Sequence, residues 1–249
     1  MSIARRIARA KEHSDYLGRR YELTTKRRPT FRLETTVESD GLEQVVRIHG
    51  APVTPPEWAS VVSEFLHCLR SALDSLMWEL VLANGEIPGR ETYFPIHLKE
   101  SNADFDKKTH GVSGDVKAIE RAVQPYASKA GPANRDALFL IHELNRLDKH
   151  RTIPVVTVAV TSSEVDIPKE AVGCPIVSTL QPLFDGAEVC RFRLLRPLPL
   201  IDWDVRVVNL TTFVLETETT PYLPFPGELR LLHGAMQRVV DQLRSHAPG

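Results

Sequence analysis

The chain has 249 residues, 42% of them hydrophobic and 25% charged, which is enough for a real core in one large domain or two small ones. Its 31 Lys and Arg nearly cancel its 32 Asp and Glu, so global charge gives no argument for a nucleic-acid or membrane partner. Three cysteines without a Cys-x-x-Cys pair, no apolar signal core and no apolar run of membrane length point to a soluble protein of the reducing cytoplasm.

Charge is uneven only at the N-terminus, where residues 1–28 hold nine basic and three acidic side chains. A solvated helix face is the first reading of this bias, and phosphate contact the second. Ile3, Ile7, Ala10, Leu17 and Tyr21 lie near one stripe and predict an amphipathic helix from 3 to about 25. FRLETTV (31–37), SDG and EQVVRIH (43–49) then read as a β-hairpin.

The next helix is predicted over 54–84. Thr54 and Glu57 have the spacing of a capping box, and Gly85 stops the pattern. Trp58, Val62, Phe65, Leu69, Leu73, Leu76 and Leu80 make its apolar face. Stepping about 100° per residue puts His67, Arg70 and Asp74 together on the far side. Ser63 and Trp78 join them there. Arg70 and Asp74 are spaced to pair along the helix.

RETYFPIHL (90–98) is extended or loop, because Pro95 forbids a helix interior. Short helices are expected near 102–108 and 115–123, with QPYASKAGP (124–132) as a linker. Asn134 is the expected N-cap of a helix to about 149, with Ala137, Leu140, Ile141, Leu144 and Leu147 inward. His142, Arg146, Lys149 and His150 gather on its opposite face. Cations in a last helical turn favour the free carbonyls, which alone would account for Arg146 and Lys149. Asn145 and Asp148 fall between the faces, and His150 and Arg151 sit where a loop can aim them.

Residues 152–161, 187–195 and 204–217 are rich in Val, Thr and Phe and read as strands separated by proline-rich joints. An amphipathic helix over 227–246 ends the chain. The order is helix, hairpin, helical block, strands, helix. This predicts an α+β fold in one domain, 1–249, with a helical core built on helices 54–84 and 134–149. The hairpin and the later strands are expected to form one antiparallel sheet.

Were the two long helices to pack, His67, Arg70 and Asp74 would face Asn145, Asp148, His150 and Arg151. Such a set suits phosphodiester chemistry, with Arg holding the anion and His moving protons. The same residues also suit a buried polar network between helices, because buried charges must be paired. A non-catalytic binding or interaction protein is therefore the first expectation and a metal-independent phosphodiesterase the alternative.

HCLRSALDSLMWEL and NRLDKHR, with FPI and QPY between them, resemble an uncharacterised bacterial family common in actinobacteria. That family's first motif reads His-Asn-Leu-Arg-Ser-Ala-Leu-Asp-His-Leu; here Cys68 stands for the Asn and Ser75 for the second His. The resemblance covers about residues 54–155 and implies no activity. A more distant one is to HEPN domains, helical bundles that include metal-independent ribonucleases, marked by Arg, four to six residues, then His. Arg6…His13, Arg90…His97 and Arg135…His142 have that spacing, Arg146…His150 is one short, and the strands fall outside such a bundle.

Other motifs are absent. HEL at 142–144 fails as a zinc motif because Arg146 stands where the second His belongs. GEIPGRE (85–91) lacks the Lys-Ser/Thr end of a phosphate loop. No metal and no cofactor is expected. RNA or another protein, including a second copy of this chain, is the expected partner, and a membrane is not.

Overall fold

The computed structural model describes residues 2–26, 32–38, 41–50, 54–129, 136–150, 157–160, 171–177, 184–196, 211–215 and 223–246, with the backbone alone for 25–26, 148–150, 157–160, 171–177, 211–215 and 224. The fold is α+β. Six helices among the described residues are α1 (Ile3–Lys26), α2 (Glu57–Ala83), α3 (Asn102–Lys108), α4 (Gly114–Ala122), α5 (Ala137–His150) and α6 (Gly227–Arg244). A 3-10 turn spans Pro125–Ala127 within the expected linker.

The strands are β1 (Arg32–Val37), β2 (Glu43–His49), β3 (Thr157–Val160), β4 (Ala171–Val177), β5 (Glu188–Leu194), β6 (Thr211–Leu215) and β7 (Leu223–Pro224). Among the described residues they make two antiparallel sheets, β1-β2-β5-β4 and β3-β6-β7. The hairpin does pair with later strands, with Val46 opposite Cys190, but the strands divide into two sheets instead of one. β4 has no counterpart in the sequence pattern, because Gly173 and Pro175 interrupt it. It lies at a sheet edge and changes register between Val172 and Ile176, as a proline-bearing strand must.

α2 is the spine of the helical core. α1, α5 and α6 all pack on it. Its predicted apolar face is buried, together with shoulder residues Leu66, Met77 and Val81. Trp58 stacks on Phe225, ring centroids 5.3 Å apart, and Tyr21 meets the same ring edge-on at 6.2 Å. These three rings tie α1, α2 and the approach to α6 together. A separate apolar set, Val45, Val46, Ile48, Val189, Cys190 and Phe192, is buried in the four-stranded sheet and lies outside the helical cluster.

Two helix starts differ from the sequence reading. α2 opens at Glu57 after Pro56, and no side chain caps it. The paired prolines push the first turn past Thr54, so Glu57 stands at its beginning and not at the third position a capping box needs. The expected cap of α5, Asn134, lies outside the described residues. Asp136 does the capping: its Oδ1 accepts the Leu138 N–H at 2.9 Å, and its carbonyl accepts the Leu140 N–H.

The stop at Gly85 holds. Its φ is +77°, the Gly85 N–H bonds the Leu82 carbonyl, and the Glu86 N–H bonds the Val81 carbonyl. That pair is the Schellman closure a left-handed glycine permits. A second glycine is tighter. Gly111, at φ +83°, packs so close to α2 that a Cβ would sit 2.9 Å from Val81 Cγ1 and 3.1 Å from Glu86 Cβ. Asn84 Nδ2 donates to its carbonyl at 3.0 Å. Gly111→Ala is expected to lower unfolding free energy by about 2 kcal/mol or more, from left-handed strain plus overpacking. Urea denaturation measures it, and a loss below ~0.5 kcal/mol would contradict this account of the loop.

Candidate functional site

The polar strip of α2 divides in two. Arg70 and Asp74 turn toward the 92–97 segment. Arg70 Nη2 donates to the Phe94 carbonyl at 2.8 Å and lies 2.9 Å from Asp74 Oδ1 as an ion pair, and Asp74 Oδ1 accepts the Phe94 N–H at 3.2 Å. The two charges and one backbone unit form a closed ring. The Arg70 side chain is 13% exposed and that of Asp74 37%. Because Pro95 keeps this segment from helix, its backbone groups need outside partners, and these two side chains supply them. One turn on, Trp78 Nε1 donates to the Thr92 carbonyl at 3.2 Å, so this indole, 47% exposed, is a tether rather than core.

His67 does not join the ring. It is exposed, with Nε2 3.3 Å from Ser71 Oγ, and it lines a half-open groove of about 660 Å³ between α1 and α2. Arg5, Arg9 and His13 line the α1 side, with Glu64 and Cys68 beside His67. His13 is buried, with Nε2 3.3 Å from Glu64 Oε2. Burial lowers its pKa first and the Arg9 charge second, against the pull of Glu64 and Glu12. Burial raises the pKa of the Cys68 thiol, so the groove does not hold a reactive thiolate.

From α5, Asn145 is buried and Arg146 makes a two-pronged bond to Glu143, at 2.9 and 2.7 Å. Arg146 holds the Glu143 carboxyl below the usual range. Asp148 and His150 belong to α5 by backbone, but their side chains, like all of Arg151, lie outside the described residues. Among the described side chains of α5, His142 is the one that feels the charge of Arg70, although the sequence reading set it among the cations of the outer face. It is half-buried, and its pKa is pushed down to about 4, by burial first and then by Arg70, with Lys108 and Arg146 adding to the same direction. No periodicity signals this, because it depends on how α5 crosses α2.

The 92–97 segment is fastened from its other side too. Gln124 Oε1 accepts the His97 N–H at 3.0 Å, and Gln124 Nε2 donates to the Pro95 carbonyl at 2.9 Å. The His97 ring places Nε2 3.3 Å from Asp104 Oδ2, off the angle a hydrogen bond needs. Among the described residues no three His, Cys, Asp or Glu side chains gather as a metal site, and no helix is long and apolar enough to cross a membrane.

No family model, curated protein or solved structure matches the chain.

The ring predicts unequal costs for charge removal. Asp74→Ala leaves the Phe94 N–H and a mostly buried guanidinium short of an acceptor, an expected loss of about 1–3 kcal/mol. Lys11→Ala breaks an exposed pair with Asp15 and is expected to cost under ~0.5 kcal/mol. Equal losses in parallel urea titrations would remove the ring's special standing.

His142 predicts an acid dependence. Its folded pKa lies below its unfolded value of about 6.5, so its contribution is full above that pH. It is lost as pH falls from about 6.5 toward 4. His142→Leu should therefore show a shallower fall in melting temperature over this window than the wild type. Superimposable curves would refute the buried neutral imidazole.

Proposed function

We propose that this chain is a non-catalytic binding protein whose α1–α2 groove takes the phosphate backbone of a single-stranded RNA. The observation that carries the non-catalytic half is the Arg70–Asp74–Phe94 ring. Arg70 Nη2 and Asp74 Oδ1 are engaged with the Phe94 backbone, and Arg70 Nη1 is buried away from any solvent-open face, so the two residues act as scaffold and not as a reaction centre.

The binding half rests on α1. This helix carries seven basic and three acidic residues and brings Arg5 and Arg9 to the groove. The Arg9 pair with Glu12 is open to solvent on both sides, at 54% and 65% exposure, and such a pair is weak enough to exchange for a phosphate. Chain-wide neutrality does not oppose this, since association follows the local field.

The test is fluorescence anisotropy of a labelled single-stranded RNA of mixed sequence at low and at physiological salt. Binding should weaken with salt, and Arg5→Glu with Arg9→Glu should weaken it by about tenfold or more. Absence of binding at low salt, or indifference to the double reversal, would overturn the proposal.

A second reading is favoured by one feature: His13 and His67 line the same groove. Two imidazoles there suit general acid/base cleavage of RNA, one taking the 2′-hydroxyl proton and the other protonating the leaving 5′-oxygen. Arg6…His13 is also one of the stretches with the HEPN spacing. If the wild type cleaves the bound RNA and His67→Ala does not, the enzymatic reading replaces the non-catalytic one.

A further inference from the structure

α4 carries a carboxylate where its sequence pattern calls for an apolar side chain. Val116, Ile119, Glu120 and Val123 share the inward face at helical spacing, and Val116, Ile119 and Val123 belong to the helical core or pack against it. Glu120 is fully buried, and neither of its carboxylate oxygens has a hydrogen-bond partner. The nearby amide cannot serve it. Gln124 Nε2 is taken by the Pro95 carbonyl and by the backbone carbonyl of Glu120 itself, at 2.9 and 3.3 Å.

The charges that act on Glu120 are Lys117 and Arg121, both of its own helix. Arg121 is turned outward to Asp106 and Asn102, at 2.8 and 2.7 Å, with its guanidinium 4.1 Å from the centre of the Phe105 ring. No titratable group of α6, on which α4 packs, acts on Glu120, and neither does His97 of the facing segment. A lone ionised carboxylate in such a place carries a large desolvation cost, so the closed structure holds the neutral acid.

We propose that α4 with Gln124 is a pH-operated latch: loss of the Glu120 proton to solvent drives α4 out of the core and frees the 94–97 segment from its far side. The mechanical link is short. Gln124 follows α4 directly, its amide holds Pro95 and His97, and Phe94 is the residue gripped by Arg70 and Asp74. The inference is independent of what the α1–α2 groove binds.

The direction follows from linkage. Burial raises the Glu120 pKa from 4.5 to about 8, against the weaker opposite pull of Lys117 and Arg121. In the opened state the carboxyl meets water and regains an ordinary value of about 4.3. Below that pH the closed state is fully favoured. Each pH unit from there up to about 8 then shifts the balance about tenfold toward opening, and above it the effect levels off.

Hydrogen exchange of the full-length chain, followed by mass spectrometry from pH 5 to 8.5 and corrected for intrinsic exchange, tests this. Protection of α4 and of 94–97 should fall by up to about tenfold per pH unit and level off near pH 8, while α1 stays flat. Glu120→Leu and Glu120→Gln should both abolish the slope. A flat wild-type profile, an equal slope in α1, or a slope that survives in either folded variant would overturn the latch. Should neither variant fold, the wild-type contrast between α4 and α1 decides alone.

Discussion

A 27-residue helix packed by α1, α5 and α6 has one narrow strip left for polar side chains, and the chemistry of this molecule follows from how α2 divides that strip. His67 stands where the strip borders α1 and remains in water. Arg70 and Asp74 stand where it borders the 92–97 segment and are drawn partly under it. A difference of three residues in sequence separates a groove-lining imidazole from a structural ion pair. The apolar shoulders, Leu66, Met77 and Val81, enforce this, because each is fully buried and none can rotate out to let the polar groups regroup.

The Arg70–Asp74 pair would contribute little if it were only a pair. Exposed ion pairs at this spacing are worth a few tenths of a kcal/mol. What changes its weight is the third member. The Phe94 backbone has no helix or sheet to satisfy it, and leaving its N–H and carbonyl unmet under partial burial would cost about 1–3 kcal/mol each. The side chains therefore replace the ladder that Pro95 forbids. This also explains why the segment stays extended against α2 although it has no secondary structure of its own.

Periodicity made the long helices legible because each buries one continuous stripe. It made the Arg70–Asp74 pair legible for the same reason. It did not give neighbours across elements. His67 shares a helical wheel sector with Arg70, yet the two face different elements. His142 reads as an outer cation beside Arg146, yet the crossing of α5 over α2 brings it into the field of Arg70. β4 was hidden by Gly173 and Pro175, residues that weaken a strand pattern but are tolerated at an edge. Glu120 was hidden by its charge. In DVKAIERA a Glu between Ile and Arg reads as surface, although Val116 four residues earlier marks the same face as inward. Local patterning locates a side chain on its own helix; only packing tells what it faces.

His142 and Glu120 both bear on the 92–97 segment, and both are held neutral. His142 acts through Arg70, which grips Phe94; Glu120 acts through Gln124, which grips Pro95 and His97. Their linkages run in opposite directions. Rising pH removes the penalty on His142 up to about 6.5, while it builds the penalty on Glu120 from about 4.5 to 8. Between about pH 4.5 and 6.5 the two run in opposite directions at different anchors, His142 at the Arg70 end of the segment and Glu120 at the Gln124 end. Above 6.5 His142 has nothing more to give, and Glu120 acts unopposed until about pH 8. Near neutral pH, small changes act through α4 and not through α5, so the Gln124 contact gives way before the Arg70–Asp74 ring does.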